Sequence, residues 1–185
     1  DLAKLKAEVK HEHHEEEGSG LRERIFRDID RFSALGSTLA PISNAASKVP
    51  GARAVMDAVA GIAPDRELPT FRSTSFEEWF ESRGGSTVSA ADATDTVVLF
   101  PDTYTNYSYP AAGKAAVEVL ESAGVRVEVP DDLAPSGRAA FSTGFLDDAR
   151  ERAETNVEKL APRVRDGQSV VFVEPSDAVM FQDEY

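Results

Sequence analysis

Two regimes of hydrophobic patterning divide this chain. In its second half, short apolar runs alternate with stretches of helical spacing. The runs 96–100 (TVVLF), 125–129 (VRVEV) and 170–173 (VVFV) are rich in β-branched and aromatic residues and read as strands. Between them, Ala112, Ala116, Val119, Leu120 and Ala123 recur at helical spacing before Gly124. Leu146, Ala149, Ala153, Val157 and Leu160 do the same, with Asp147 and Asp148 in the first turn, where the helix dipole favours acids. Strand, helix, strand, helix, strand predicts an α/β fold with a three-stranded parallel βαβαβ sheet. A further helix is expected to begin near Ser176.

The first half patterns as helix throughout. Residues 1–17 carry Leu2, Leu5 and Val9 on one stripe, and Glu17-Gly18-Ser19-Gly20 ends that helix. Leu21, Ile25, Ile29 and Phe32 mark a second helix. Leu39, Ile42, Ala46 and Val49 mark a third, stopping near Pro50-Gly51. Val55, Met56, Val59 and Ile62 mark a fourth, before Pro64. Ser75-Phe76-Glu77-Glu78 is a capping box opening a short helix with Trp79 and Phe80. Residues 84–95 (GGSTVSAADATD) turn small and polar. The expected organisation is a helical connector over 1–83, a linker over 84–95 and a Rossmann-like α/β domain over 96–185. That domain reads as truncated near Tyr185, and Asp at position 1 marks the chain as an excerpt.

Composition narrows the partners. The formal charge is −13, from 33 acidic against 20 basic residues. Nucleic acid and anionic membrane surfaces need a basic footprint, so neither is expected as a partner. Acid in excess with 14 Arg against 6 Lys and no Cys is the pattern of haloarchaeal proteins; the plainer reading is a solvated surface. Without Cys there is neither a disulfide nor a thiolate ligand. No apolar run reaches the ~18 residues of a membrane span.

Candidate chemistry collects in the loops that follow the strands: PDTYTNY from Pro101, PDDLAPSGR from Pro130 and EPSD from Glu174. All three should emerge at the carboxyl edge of the sheet, where open α/β sheets bind ligands. Ser136 as a nucleophile lacks a base, since no His occurs in the α/β unit. The Ser136-Gly137-Arg138 turn could cradle an anion, or be a plain turn. Asp177 reads as a helix N-cap, with metal ligation alongside Glu174 as the sharper alternative. Tyr104, Tyr107 and Tyr109 read as packing at the sheet edge. His11, His13 and His14 sit in one turn of the first helix. They would need Glu15 or Glu17 to bind a metal, and read more plainly as a solvated polar face.

The blocks LFPDTYTNYSYPAAGKAAVEVLESAGVRVEVP, SGRAAFSTGFLDDARERAETNVEKLAP and VVFVEPSDAVMFQDEY resemble the cysteine-rich CCG domain. That domain belongs to FAD-linked, iron–sulfur 2-hydroxy-acid dehydrogenases of the D-lactate dehydrogenase and glycolate oxidase type. It also belongs to the iron–sulfur subunits of anaerobic glycerol-3-phosphate dehydrogenase and heterodisulfide reductase. DLAKLKAEV resembles the stretch after the last cluster cysteine of the ferredoxin-like module in the same enzymes, and LRERIFRDIDRFSALGSTLAPISN resembles their connector. Where the family has Cys-Cys-Gly this chain has Pro135-Ser136-Gly137, and where it has a further cysteine this chain has Asp177. Thr103 takes the position after the first strand.

The resemblance implies a parent with FAD and 4Fe-4S clusters that oxidises D-lactate or glycolate and passes electrons to a quinone or other acceptor. The fragment itself is expected to bind no cofactor and no metal and to have no catalytic residue. Thr103, Pro135, Ser136 and Asp177 are then degenerate cluster positions. Arg138 is expected to pair with Glu174 or Asp177 and close the vacated site, or to contact an anion in a binding or protein-interaction module. Partners implied are the upstream flavin and ferredoxin-like modules and an electron acceptor, in a cytoplasmic or membrane-peripheral setting.

Overall fold

The computed structural model describes residues 2–46, 51, 52, 54, 57, 58, 61, 63 and 70–185. Helix α1 spans Leu2–Glu17, α2 Leu21–Arg27, α3 Ile29–Thr38, α4 Ala40–Ala46 and α5 Phe76–Ser82. Then come β1 (Asp95–Phe100), α6 (Thr103–Tyr107), α7 (Pro110–Ser122), β2 (Val125–Glu128), α8 (Arg138–Thr143), α9 (Leu146–Arg165), β3 (Ser169–Phe172) and α10 (Pro175–Val179), which runs into a π-helical turn over Met180–Glu184. The fourth helix expected from Val55, Met56, Val59 and Ile62, with its stop at Pro64, lies outside the described residues, as do Val49 and Pro50.

The sheet has three parallel strands, as the patterning predicts, and their order is β2-β1-β3. Val97 stands beside Val127 on one flank, and Phe100 beside Phe172 on the other. The central strand β1 has helices over both faces, so Val97, Val98, Leu99 and Phe100 are all buried. Val97, Leu99 and Val127 pack against Phe76 and Phe80 of α5 and Val117 of α7. On the other face Phe100 and Phe172 meet the ring of Phe181 at 5.0 and 4.8 Å. The capping box holds: Ser75 Oγ accepts from the Glu78 N–H at 3.1 Å, and Glu78 Oε2 accepts from the Ser75 N–H at 2.8 Å.

Several elements depart from the pattern. The expected second helix is broken at Asp28 into α2 and α3. The buried stripe of α7 runs through Gly113 and Val117, leaving Val119 exposed. Residues 86–88 are tied down: the Glu121 carboxylate takes hydrogen bonds from Ser86 Oγ and the Thr87 N–H, and Arg126 donates to the Val88 carbonyl.

The first helix is the largest correction. Its apolar stripe faces outward, with Leu2 79% exposed. The helix docks with polar side chains instead. Lys10 Nζ donates to the Ser142 carbonyl at 2.8 Å, while His14 Nε2 and His11 Nδ1 meet the carbonyls of Thr143 and Gly144 at 2.9 and 3.2 Å. His14 also stacks on Phe145 at 4.8 Å. These carbonyls end α8, where a helix leaves acceptors unpaired and its dipole favours cationic donors. His11 and His14 therefore cap a helix rather than lining a solvated face. Among the described residues, no His, Cys, Asp or Glu group could hold a metal ion.

Candidate functional site at the carboxyl edge

Strand order β2-β1-β3 sends the chain from β1 to one neighbour, then back across to the other. The crevice between the carboxyl ends of β1 and β3 is therefore the topological switch point of the sheet. Asp102 follows β1 and Asp177 follows β3, so both reach this crevice.

Asp102 is the N-cap of α6. Its Oδ1 accepts from the Thr105 N–H at 2.9 Å, while its Oδ2 is buried without a hydrogen-bond partner among the described residues. Burial pushes this carboxyl above its ordinary range, and nearby Glu174 adds to the shift. Glu174 caps α10 by accepting from Ser176 Oγ at 2.6 Å and from the Ser176 N–H at 3.0 Å. Those donors hold it below the usual carboxylate range.

Asp177 is not the cap. It lies in the first turn of α10, 7% exposed, and its Oδ1 accepts from Ser136 Oγ at 2.5 Å. Burial pushes its carboxyl up to about 6; Asp102 and Glu174 push the same way, against Ser136 and Arg138. The hydroxyl and carboxyl that stand where the CCG family has cysteines thus meet each other directly.

Gly137 makes the turn from Ser136 into α8. Its φ of +79° is left-handed, and a Cβ there would come within 3.2 Å of the Ala149 carbonyl oxygen. Arg138 then opens α8. Its guanidinium donates to the Ser176 carbonyl at 3.0 Å, and no carboxylate among the described residues comes within ion-pair distance of it. The expected ion pair with Glu174 or Asp177 is replaced by this hydrogen bond. Arg138 still cross-links the same two loops, and both acids feel its charge.

Two residues that the patterning did not single out support the loop. Asn156 is fully buried on α9, accepting from the Ala134 N–H at 2.9 Å and donating to the Tyr185 hydroxyl at 2.9 Å. Tyr185 in turn donates to the Ser136 carbonyl at 3.0 Å, and burial pushes its phenol up to about 12. The available signal was an Asn inside the apolar spacing of α9; for Tyr185 there was none.

Thr103 and Pro135 line a separate cavity of about 340 Å³ between the β1 and β2 loops, walled on its far side by α3. Glu77 and Asn106 clasp each other at its rim: the Glu77 N–H donates to Asn106 Oδ1 at 3.1 Å, and Asn106 Nδ2 donates to the Glu77 carboxylate. Burial raises the Glu77 carboxyl above its ordinary range. The Tyr residues divide. Tyr107 lines this cavity, whereas Tyr104 and Tyr109 are half exposed and stack on each other instead of packing the sheet edge.

The donor set decides what the crevice can hold. An iron–sulfur cluster needs soft thiolates. Of the four positions, Thr103 and Pro135 line the separate cavity, while Ser136 and Asp177 give the crevice a hydroxyl and a carboxyl that are hydrogen-bonded to each other. These residues do not fit a cluster. No histidine serves Ser136 as a base, because the chain's histidines all lie on α1 and those in contact with the unit reach the end of α8; the Ser136 hydroxyl donates to Asp177 Oδ1 instead.

Comparisons with known proteins agree with the sequence blocks. The chain is 29% identical over 166 residues to a subunit of the anaerobic glycerol-3-phosphate dehydrogenase of Escherichia coli K12, covering 89% of this chain and 41% of that protein. The same figures hold for the O157:H7 protein. It is 34% identical over 84 residues to lactate utilization protein A of Shouchella clausii, covering 45% of this chain and 34% of that protein. The chain thus spans well under half the length of these curated relatives. No family model matches it, and no solved structure does. What the comparisons support is a coarse relation to a subunit of a dehydrogenase and to a lactate utilization protein.

Proposed function

We propose that this chain is the CCG-type part of a multi-component dehydrogenase, acting as a structural and docking element beside the electron-carrying modules. The parent would oxidise a 2-hydroxy acid of the D-lactate or glycolate class at FAD and pass electrons through 4Fe-4S clusters carried elsewhere to a quinone or other acceptor. One observation carries the structural role: the former ligand positions Ser136 and Asp177 are joined at 2.5 Å, so the loops that a cluster would hold are held by protein alone. The relation to lactate utilization protein A supports the 2-hydroxy-acid substrate. A second reading, glycerol 3-phosphate, is favoured by the longer match to the anaerobic glycerol-3-phosphate dehydrogenase.

Deleting the coding region and assaying extracts for substrate-dependent dye reduction tests this. Loss of D-lactate or glycolate oxidation is expected. Loss of glycerol 3-phosphate oxidation alone would favour the second reading, and unchanged rates on all three would remove both. The chain reconstituted anaerobically with iron and sulfide is expected to hold no stoichiometric iron, read by metal analysis and visible absorbance.

A further inference from the structure

The start of α7 borders a cavity unlike the rest of the surface. It encloses about 470 Å³, within the range of small-molecule sites. The chain has 33 acidic against 20 basic residues. Yet Arg72 and Lys114 line this cavity, together with the hydroxyl residues Ser73 and Thr74, and no acid among the described residues does.

The cations are placed by different means. The Arg72 backbone is bolted on both sides: its N–H donates to the Tyr107 carbonyl at 2.9 Å, and its carbonyl accepts from Ser37 Oγ. Its guanidinium has no carboxylate partner among the described residues, so its five donors are available. Lys114 is steadied over the Trp79 ring, with Nζ 5.0 Å from the centroid. Pro110 opens the 13-residue helix α7, whose dipole adds positive potential at this end. Tyr109 completes the wall. It lies parallel to Tyr104 at 6.0 Å, interplanar angle 5°, and both rings are half exposed. Such a pair gives a rigid flat face at low entropic cost.

We infer that this cavity binds a phosphate dianion carried on a small molecule, with Arg72 and Lys114 holding the phosphate, Ser73 and Thr74 donating to its remaining oxygens, and Tyr109 packing on a flat substituent. A tetrahedral dianion with three acceptor oxygens matches two cations and two hydroxyls better than a planar monoanion does. The inference is independent of the crevice between β1 and β3, and it stands whichever substrate the parent oxidises.

Calorimetric titration of the 185-residue chain at constant ionic strength and about pH 8, where phosphate is dianionic, tests it with phenyl phosphate and inorganic phosphate as probes. Both should bind, phenyl phosphate more tightly. The double variant R72Q/K114Q should weaken both by roughly ten-fold or more. Tyr109→Leu should weaken phenyl phosphate alone. Binding of inorganic phosphate only, still lost in R72Q/K114Q, would keep the dianion site and make free phosphate its ligand. Three results overturn the inference: no binding of either probe up to about 10 mM, equal binding by R72Q/K114Q, or an equal loss in Arg150→Gln, a distant surface cation that faces Asp147.

Discussion

At Asp177 a carboxyl group rests on the Ser136 hydroxyl inside a crevice shared with Asp102 and Glu174. A carboxyl raised in the folded state from 3.8 to about 6 binds its proton more tightly there than in the unfolded chain. Its contribution to stability is therefore full below about pH 4 and is lost as the pH climbs through 6. Asp177→Asn keeps an oxygen for Ser136 and removes the titration. The variant is expected to gain on the order of 1–3 kcal/mol over the parent at pH 8 and to lose that gain near pH 4, read from denaturant melts at both values. An equal difference at both values would remove the buried-proton account. The loops were legible at this scale, since each follows a readable strand. The partner was not: 41 positions separate Ser136 from Asp177, and nothing in local spacing pairs them. Arg138 was given the right neighbourhood and the wrong acceptor, because a backbone carbonyl leaves no mark in the side-chain pattern.

Helix α1 shows what periodicity can miss at the scale of elements. Leu2, Leu5 and Val9 form the stripe that ordinarily buries, yet the docked face uses Lys10, His11 and His14 on carbonyl groups. The contact depends on close approach at Gly144, whose φ is +89°, and a Cβ there would stand 2.5 Å from Lys10 Cβ. Gly144→Ala is expected to cost roughly 1–3 kcal/mol through backbone strain and the clash. Most of that loss should fall on the docking of α1. Hydrogen exchange should then quicken along α1 while β1 amides keep their protection; uniform quickening would instead mean that α1 and the sheet unfold as one unit. The short helix α6 was read as a loop, and α8 was left unassigned beyond Arg138, for a related reason. At five and six residues they show no periodicity, and caps at Asp102 and Gly137 define them instead. The long α7 and α9 carry enough turns to be read directly.

For the whole molecule, the sheet followed from three apolar runs and two helical spacings, because parallel strands buried on both faces need continuous apolar sequence. Charge was legible too, and its effect is open to measurement. At −13 the compact state repels itself, and mobile ions relieve that. Salt also bears on pairs such as Arg152–Asp30 and Arg27–Asp148, which tie the connector to α9. The more open Arg27–Asp148 pair is worth only about 0–1 kcal/mol, and the largely buried Arg152–Asp30 pair is screened little by salt. Relief of self-repulsion should win, and the melting temperature is expected to climb steadily from low to molar KCl. A flat curve would return the acid to an ordinary solvated surface.

The placing of β1 at the centre also sets a timetable. Its partner β2 is synthesised soon after it, but 69 positions separate Phe100 from Ser169, where β3 begins. At 5–20 residues per second, one side of the most apolar strand waits roughly 3–14 s for its neighbour. During that interval the edge of Val98 and Phe100 is a template for the same strand of another nascent copy. Rare codons placed within 130–168 should lengthen the wait and raise the insoluble share of freshly made protein. The same codons placed before residue 90 should leave it unchanged.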